Sequence, residues 1–299
     1  MPAAEVTAPS SRGALAAGVC YVMWGLFPLY WKQLAAIDAR ELIAHRIVWS
    51  LAFVAAATTA TGAWGTIRAA LATRRSLAAN LLTGALLSVN WLVFVWGVNH
   101  GHILETSLGY FLVPLVNVAL GRLVLHEHLR PAQWAAIACA AAGVALQLLH
   151  VGRLPWIALA LAATFGAYGL LRKRSPLGSL AGLTVETLLL APLALAYLYW
   201  CHRQGTGALG RVSLREHAFV LSAGVVTAVP LLLFAYGARR IRLTTLGLLQ
   251  YLAPTGSFLV GVFVYGEAFD HDRLLAFACI WLGLALYTAD NLRQLARRN

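Results

Sequence analysis

The sequence predicts an all-α polytopic membrane protein, with ten transmembrane helices arranged as two inverted five-helix repeats. Three observations carry that prediction. Hydrophobic residues make up 60% of the 299-residue chain and charged residues only 11%, with a mean hydropathy of +0.73, whereas soluble proteins carry about 25% charge. Ten apolar stretches approach the roughly 20 residues a helix needs to cross hydrocarbon. Landmarks also recur at one displacement: Pro114, Gly121 and Glu127 return as Pro254, Gly261 and Glu267, each 140 residues on. The same step pairs Leu112 with Leu252, Gly84 with Gly224, Phe94 with Phe234, Cys139 with Cys279 and Gly143 with Gly283. A run of matches at a single offset reads as an internal duplication.

In chain order the expected spans are 13–35, 41–61, 76–98, 103–125, 131–149, 154–171, 178–200, 217–237, 243–265 and 272–290. Residues 1–12 read as a disordered lead, 13–150 as the first repeat, 151–290 as the second and 291–299 as a basic cytoplasmic tail. The apolar run after the lead is too long for the core of a signal peptide. Connections are short, which forces neighbouring helices antiparallel; the longest, 62–75 and 201–216, hold no soluble domain. With the N-terminus cytoplasmic, 15 of the 23 basic residues fall on the inside, so both termini are placed there. Five spans per repeat is an odd number. The second copy must therefore enter the membrane from the opposite side, an arrangement suited to alternating access.

A net charge of +12 invites nucleic acid as a partner, but the basic residues sit in short gaps between apolar runs rather than along one soluble face. The four cysteines form no CxxC pair, so neither a disulfide framework nor a zinc site is indicated. No Walker loop, GxGxxG loop or nucleophile elbow is present, and no cofactor, metal or catalytic residue is expected.

Candidate working residues lie inside the apolar helices. Pro114 and Pro254 each free the carbonyl four residues back, at Tyr110 and Gln250, which makes them a repeated pair of hinges or of tolerated kinks. Pro28, Pro192 and Pro230 have no partner in the other half. Ionisable groups at membrane depth cost at least ~2.5 kcal/mol, so they face a partner or a wet cavity. His45, Arg46 and Glu105 lie towards the outer side and Glu186 towards the inner, with His45 matching Glu186 at an offset of 141. We expect Arg46 paired with Glu105 at one end of a cavity and Glu186 at the other, either binding substrate or a proton or merely tying helix ends. Asn90, Tyr110, Asn117, Gln250 and Tyr251 offer hydrogen bonds, and Trp24, Trp91, Trp96 and Tyr168 offer flat apolar walls, a lining suited to a small amphipathic organic molecule. His126-Glu127-His128 looks like a metal motif, but adjacent helix positions diverge by about 100° and cannot chelate together. Glu127 and Glu267 read instead as a repeated corner, capping the fifth and tenth helices.

Five strings give the chain a recognisable likeness: WGLFPLYWK from Trp24, ELIAHRIVWS from Glu41, NWLVFVWGVN from Asn90, LETSLGYFLVPLVN from Leu104 and TTLGLLQYLAPT from Thr244. They resemble the RarD type within the EamA branch of the drug/metabolite transporter superfamily. The superfamily's Gly-Glu corner stands here as His126-Glu127 and Gly266-Glu267. The resemblance implies a bacterial cell (inner) membrane protein of two five-helix repeats, a secondary transporter acting as exporter or permease of small metabolites or drugs. It transfers no catalytic set. The alternative is a membrane-embedded enzyme or sensor using His45, Arg46 and Glu105 on a lipid-soluble substrate. Expected partners are a small-molecule substrate and the bilayer, with protons as a candidate coupling ion and a monomeric or homodimeric assembly.

Overall fold

The computed structural model describes residues 10–100, 102–149, 154–266 and 271–296, and among them every regular element is helical. In order these are α1 (Ser11–Gly25), α2 (Phe27–Trp31) with a 3-10 turn at Lys32–Leu34, α3 (Ala39–Ala60), α4 (Trp64–Ala72), α5 (Arg74–Asn99), α6 (Ile103–Leu123), α7 (Pro131–Leu149), α8 (Trp156–Arg174), α9 (Ser179–Arg203), α10 (Leu214–Ala238), α11 (Leu243–Gln250), α12 (Leu252–Tyr265) and α13 (His271–Ala296). Helix starts follow local chemistry. Ser10 accepts the Gly13 amide ahead of α1, Asp38 accepts from Arg40 and Glu41 ahead of α3, and Ser213 with Glu216 forms a capping box on α10.

Seven stretches are long and apolar enough to cross a membrane, and the bent pair α1–α2 makes an eighth. The ten expected spans are therefore not all met by length and composition. α8 falls short because Arg172, Lys173 and Arg174 occupy its last turn. Nine of its residues are buried in protein, so it needs less lipid-facing surface than its neighbours. α13 carries a shorter apolar run, Leu274–Asp290. The connection 62–75 is not a plain loop but holds α4, whose Ile67 and Ala70 pack on Leu177, Ala181 and Val185 of the hairpin that opens α9. Leu193, Leu214 and Phe263 are 73%, 88% and 79% exposed. So much bare apolar surface fits hydrocarbon surroundings rather than water.

A bend of 41° lies at Leu26 between α1 and α2. Pro28 follows it, at the start of α2, where its missing N–H costs least. The repeated prolines act unequally. α6 runs unbroken through Pro114, whereas the helix carrying Pro254 breaks at Tyr251 into α11 and α12.

Close contacts repeat between the halves. A Cβ on Gly143 would stand 2.5 Å from the Ala276 carbonyl and 3.2 Å from Cys279 Cβ; one on Gly283 would stand 2.6 Å from the Ala136 carbonyl and 3.4 Å from Cys139 Cβ. Gly25 meets Gly256 at 3.0 Å as Gly166 meets Val116 at 2.5 Å, and Gly84 faces Leu190 as Gly224 faces Trp49. Each contact maps on its counterpart by 140 or 141 residues, which is the reciprocity of a two-fold axis. Residue 143 lies near 276–280 while 283 lies near 136–140, so α7 and α13 run antiparallel. α6 and α11 do the same, since Gly121 touches Thr244, Pro114 touches Gly247 and Phe111 touches Tyr251. A two-fold relating antiparallel helices lies across them, so the halves are inverted. Small residues let the backbones approach this closely, which is how helices associate where lipid removes the hydrophobic drive.

Candidate functional site

Four helices, α3, α5, α9 and α10, enclose a narrow cleft lined by Ile47, Ser50, Leu87, Trp91, Leu183, Glu186, Thr187, Leu190, Thr227 and Leu231. Leu87 matches Thr227 and Trp91 matches Leu231 at the 140-residue step, so the pseudo-dyad passes through the cleft. Its free space holds about one water in this conformation. Ser50 donates to the Gly224 carbonyl at 3.1 Å and Thr58 bonds Thr184 at 3.0 Å, which pins α3 to both α10 and α9.

At one end Glu186, 1% exposed, faces the Arg172 guanidinium at 3.5 Å. Tyr168 donates to its second oxygen at 3.4 Å and stacks on Phe234, centroids 5.8 Å apart. Arg172 reaches Glu186 from the last turn of α8 because only four residues separate that helix from the start of α9. Gly182 lets it lie there: a Cβ at that position would stand 2.0 Å from the guanidinium. Next to this end, basic side chains close helix C-termini. Lys173 donates to the Ala238 and Ile241 carbonyls and Arg174 to that of Val124, which places positive charge against the negative poles of α10 and α6, and Arg239 donates to Leu177 in the turn before α9.

At the other end the Arg46 guanidinium lies against two indoles, 4.7 Å from the Trp31 ring centre and 4.4 Å from that of Trp91, and its Nε donates to Thr227 Oγ1 at 3.0 Å. Tyr30 closes this side by donating to the Phe219 carbonyl at 2.5 Å beside Ser222. The expected Arg46–Glu105 pair does not form. Glu105 stands 3.7 Å from His102 at its own helix start, and Arg46 has taken aromatic partners, which a planar, weakly hydrated cation accepts. His45 lies 3.6 Å from Glu41, whose carboxylate accepts the Ala208 amide at 2.6 Å. His45, Arg46 and Glu105 thus have three different sets of partners rather than one shared site.

Of the remaining sequence-predicted residues, Asn117 donates to Gln250 at 3.0 Å and Tyr251 donates to the Phe111 carbonyl at 3.3 Å, both across the α6–α11 crossing. Asn90 donates to the Leu161 carbonyl and to Thr164, each at 2.9 Å, as a tie between α5 and α8. Trp24 packs against Tyr21, Phe165 and Phe234 in the aromatic core beside the cleft. Tyr110 packs edge-on to Phe94. Trp96 stacks on His100 and His102 near the rim. Pro114 presents its carbonyl to Gly247, and Pro254 lies three residues past the break at Tyr251. Sequence reasoning missed Arg172, Trp31 and Thr227. The first had a signal, since it lies 14 residues before Glu186 across one short turn.

The repeated corner differs from expectation. Glu127 does not cap the fifth helix: its Oε1 accepts the Leu243 amide at 2.7 Å, and its Oε2 accepts the Thr244 amide at 3.0 Å and hydroxyl at 2.8 Å. It caps α11 from across the fold, where Arg242 provides no side-chain cap of its own. His126 is left-handed with φ 52°, matching Gly266 with φ 64° in the other half, so the turn conformation recurs even though the residue does not. Glu267 lies outside the described residues.

A family model described as the EamA-like transporter family matches residues 11–149 and again 154–289. An uncharacterized transporter of Pseudomonas aeruginosa is 48% identical, covering 97% of this chain and 98% of its own. Protein RarD of Streptomyces exfoliatus is 44% identical, covering 93% of this chain and 88% of its own. A solved crystal structure superposes with a TM-score of 0.73 at 21% identity, covering 93% of this chain and 98% of that one, which is a likeness of fold.

Proposed function

The chain belongs to the EamA-like transporter family, and on that premise we propose that it is a secondary exporter or permease of small organic molecules, working by alternating access between its two inverted halves. The cleft between α3, α5, α9 and α10 is the substrate chamber in this reading. One observation carries it: the pseudo-dyad runs through that cleft, across antiparallel equivalent helices. When each half takes up the other's conformation, a chamber on such an axis changes the side to which it opens.

Several features support the details. The chamber walls are mostly aliphatic and aromatic with a few hydroxyls, so a bare ion would find too few ligands there. The Lys173, Arg174, Arg239 and Arg242 contacts gather at one end of the bundle, which supports reading that end and both termini as the cytoplasmic side of a cell (inner) membrane. Arg172–Glu186 then closes the cytoplasmic side, and the Arg46, Trp31 and Tyr30 cluster closes the outer one. Residues 13–150 and 151–290 are the moving units, with the α6–α11 crossing at Pro114 and Tyr251 as the pivot. Glu186 is the candidate proton site.

The test is counterflow in proteoliposomes with amino acids, nucleotides and amphenicols as solutes. Saturable exchange that is accelerated by solute inside the vesicle is the expected result. Turnover of a lipid without flux of any solute overturns the transport reading.

A further inference from the structure

The geometry points to Arg46 as the receptor for the carboxylate of a small organic monoanion with an apolar body, an inference about substrate class that rests on the transport reading above. The guanidinium is the one buried or half-buried cation of the chamber that lacks a carboxylate among the described residues. The buried carboxylates already have cationic or imidazole neighbours: Glu186 has Arg172 at 3.5 Å, Glu41 has His45 at 3.6 Å and Glu105 has His102 at 3.7 Å. A charge held in low dielectric with no counter-ion favours an anion that brings one.

The geometry selects the kind of anion. Trp31 and Trp91 stack their rings against the guanidinium at 4.7 and 4.4 Å and Thr227 Oγ1 takes its Nε, which leaves the in-plane Nη edge without a protein hydrogen bond among the described residues. That edge is a fork matched to two coplanar oxygens, the shape of a carboxylate. Trp91 and Thr227 also line the cleft, so a molecule held there by its oxygens points its body along Leu87, Leu190 and Leu231. A second anionic group would find no free cation in the cleft among the described residues. The position equivalent to Arg46 is Thr187, whose hydroxyl is spent on the Leu183 carbonyl, and Arg172 is taken by Glu186. The site therefore accepts one negative charge, and the chamber must widen from its present closed form to admit the body.

The experiment uses the purified full chain in nanodiscs, with phenylacetate, its neutral isostere phenylacetamide and phenyl phosphate as probes. Apparent melting temperature and tryptophan fluorescence are read, since Trp31 and Trp91 flank the site. Phenylacetate is expected to raise the melting temperature saturably and to quench fluorescence, with phenylacetamide and phenyl phosphate binding on the order of tenfold more weakly or not at all. R46M, whose stem still packs against the indoles, is expected to lose the phenylacetate response. If R46M does not fold, R46K decides, because it keeps the charge and loses the fork; several-fold weaker binding is expected. Equal binding of acid and amide, a preference for phenyl phosphate, no response to phenylacetate, or unchanged affinity in the variant that folds overturns the assignment. Flux separates this from the transport reading. Phenylacetate that binds through Arg46 but shows no saturable flux leaves the receptor and removes the carrier; counterflow of a neutral solute without phenylacetate binding does the reverse.

Discussion

Tyr251 donates its hydroxyl to the backbone carbonyl of Phe111, the residue that holds the same place 140 positions earlier in the other half. Two equivalent residues can touch only on the axis that relates them. This bond therefore marks where the pseudo-dyad crosses α6 and α11, and Asn117–Gln250 lies beside it. A hydrogen bond on the axis ties the halves together at the one place that both share.

The reciprocal glycine contacts predict matched responses. G143A and G283A each drive a methyl into a backbone carbonyl at 2.5 and 2.6 Å and should each lower stability by about 1–3 kcal/mol. G18A meets nothing within 4 Å and should be neutral or gain up to ~1 kcal/mol from helix propensity. Thermal melts in detergent check this; loss in only one of the two glycine variants would refute the two-fold packing of α7 on α13.

The corner at 126–127 separates conformation from capping. H126G should raise stability by about 1 kcal/mol, because glycine adopts a φ of 52° without the left-handed penalty. E127A should lower it by about 1–2 kcal/mol by exposing the first amides of α11. The same melts read both, and a stabilising E127A would show that the cap contributes nothing.

Arg172 and Glu186 form a buried pair whose members depend on each other. E186Q or R172M alone leaves a buried charge without its counter-ion and should cost about 3–5 kcal/mol. R172M with E186L removes both charges and should recover most of that loss. Full transport by an E186Q protein that reaches the membrane would leave Glu186 a structural residue only.

Asp38 gives a pH dependence outside the membrane spans. Partial burial pushes its carboxyl up, but the Arg40 guanidinium and the Arg40 and Glu41 amides outweigh this and hold it below the usual value. A lowered folded value contributes stability above the unfolded value of about 3.9 that is lost as pH falls through the folded one. The stability gap between wild type and D38A should therefore hold constant near neutral pH and shrink only in acid. D38N, which keeps the cap without the charge, should show no such acid-dependent term of its own.

The sequence by itself determined the class, the duplication and the inversion. Apolar length sets what can cross a bilayer, and an odd number of spans per repeat leaves no other orientation for the second copy. Pro114 and Pro254, Gly143 and Gly283 were legible because a fixed offset is a one-dimensional signal. Partnership across the fold was not. Arg46 and Glu105 looked like a pair because opposite charges at one depth usually are, yet only packing brought Trp31 and Trp91 within reach of the guanidinium and left Glu105 beside His102. Arg172 lies one residue past the expected span 154–171, and only the space left by Gly182 sets it against Glu186. Glu127 was expected to cap the helix after it in the chain, and caps α11 instead. Such choices are made by side-chain directions and gaps of an ångström or two, which helix periodicity does not encode and which only the assembled bundle fixes.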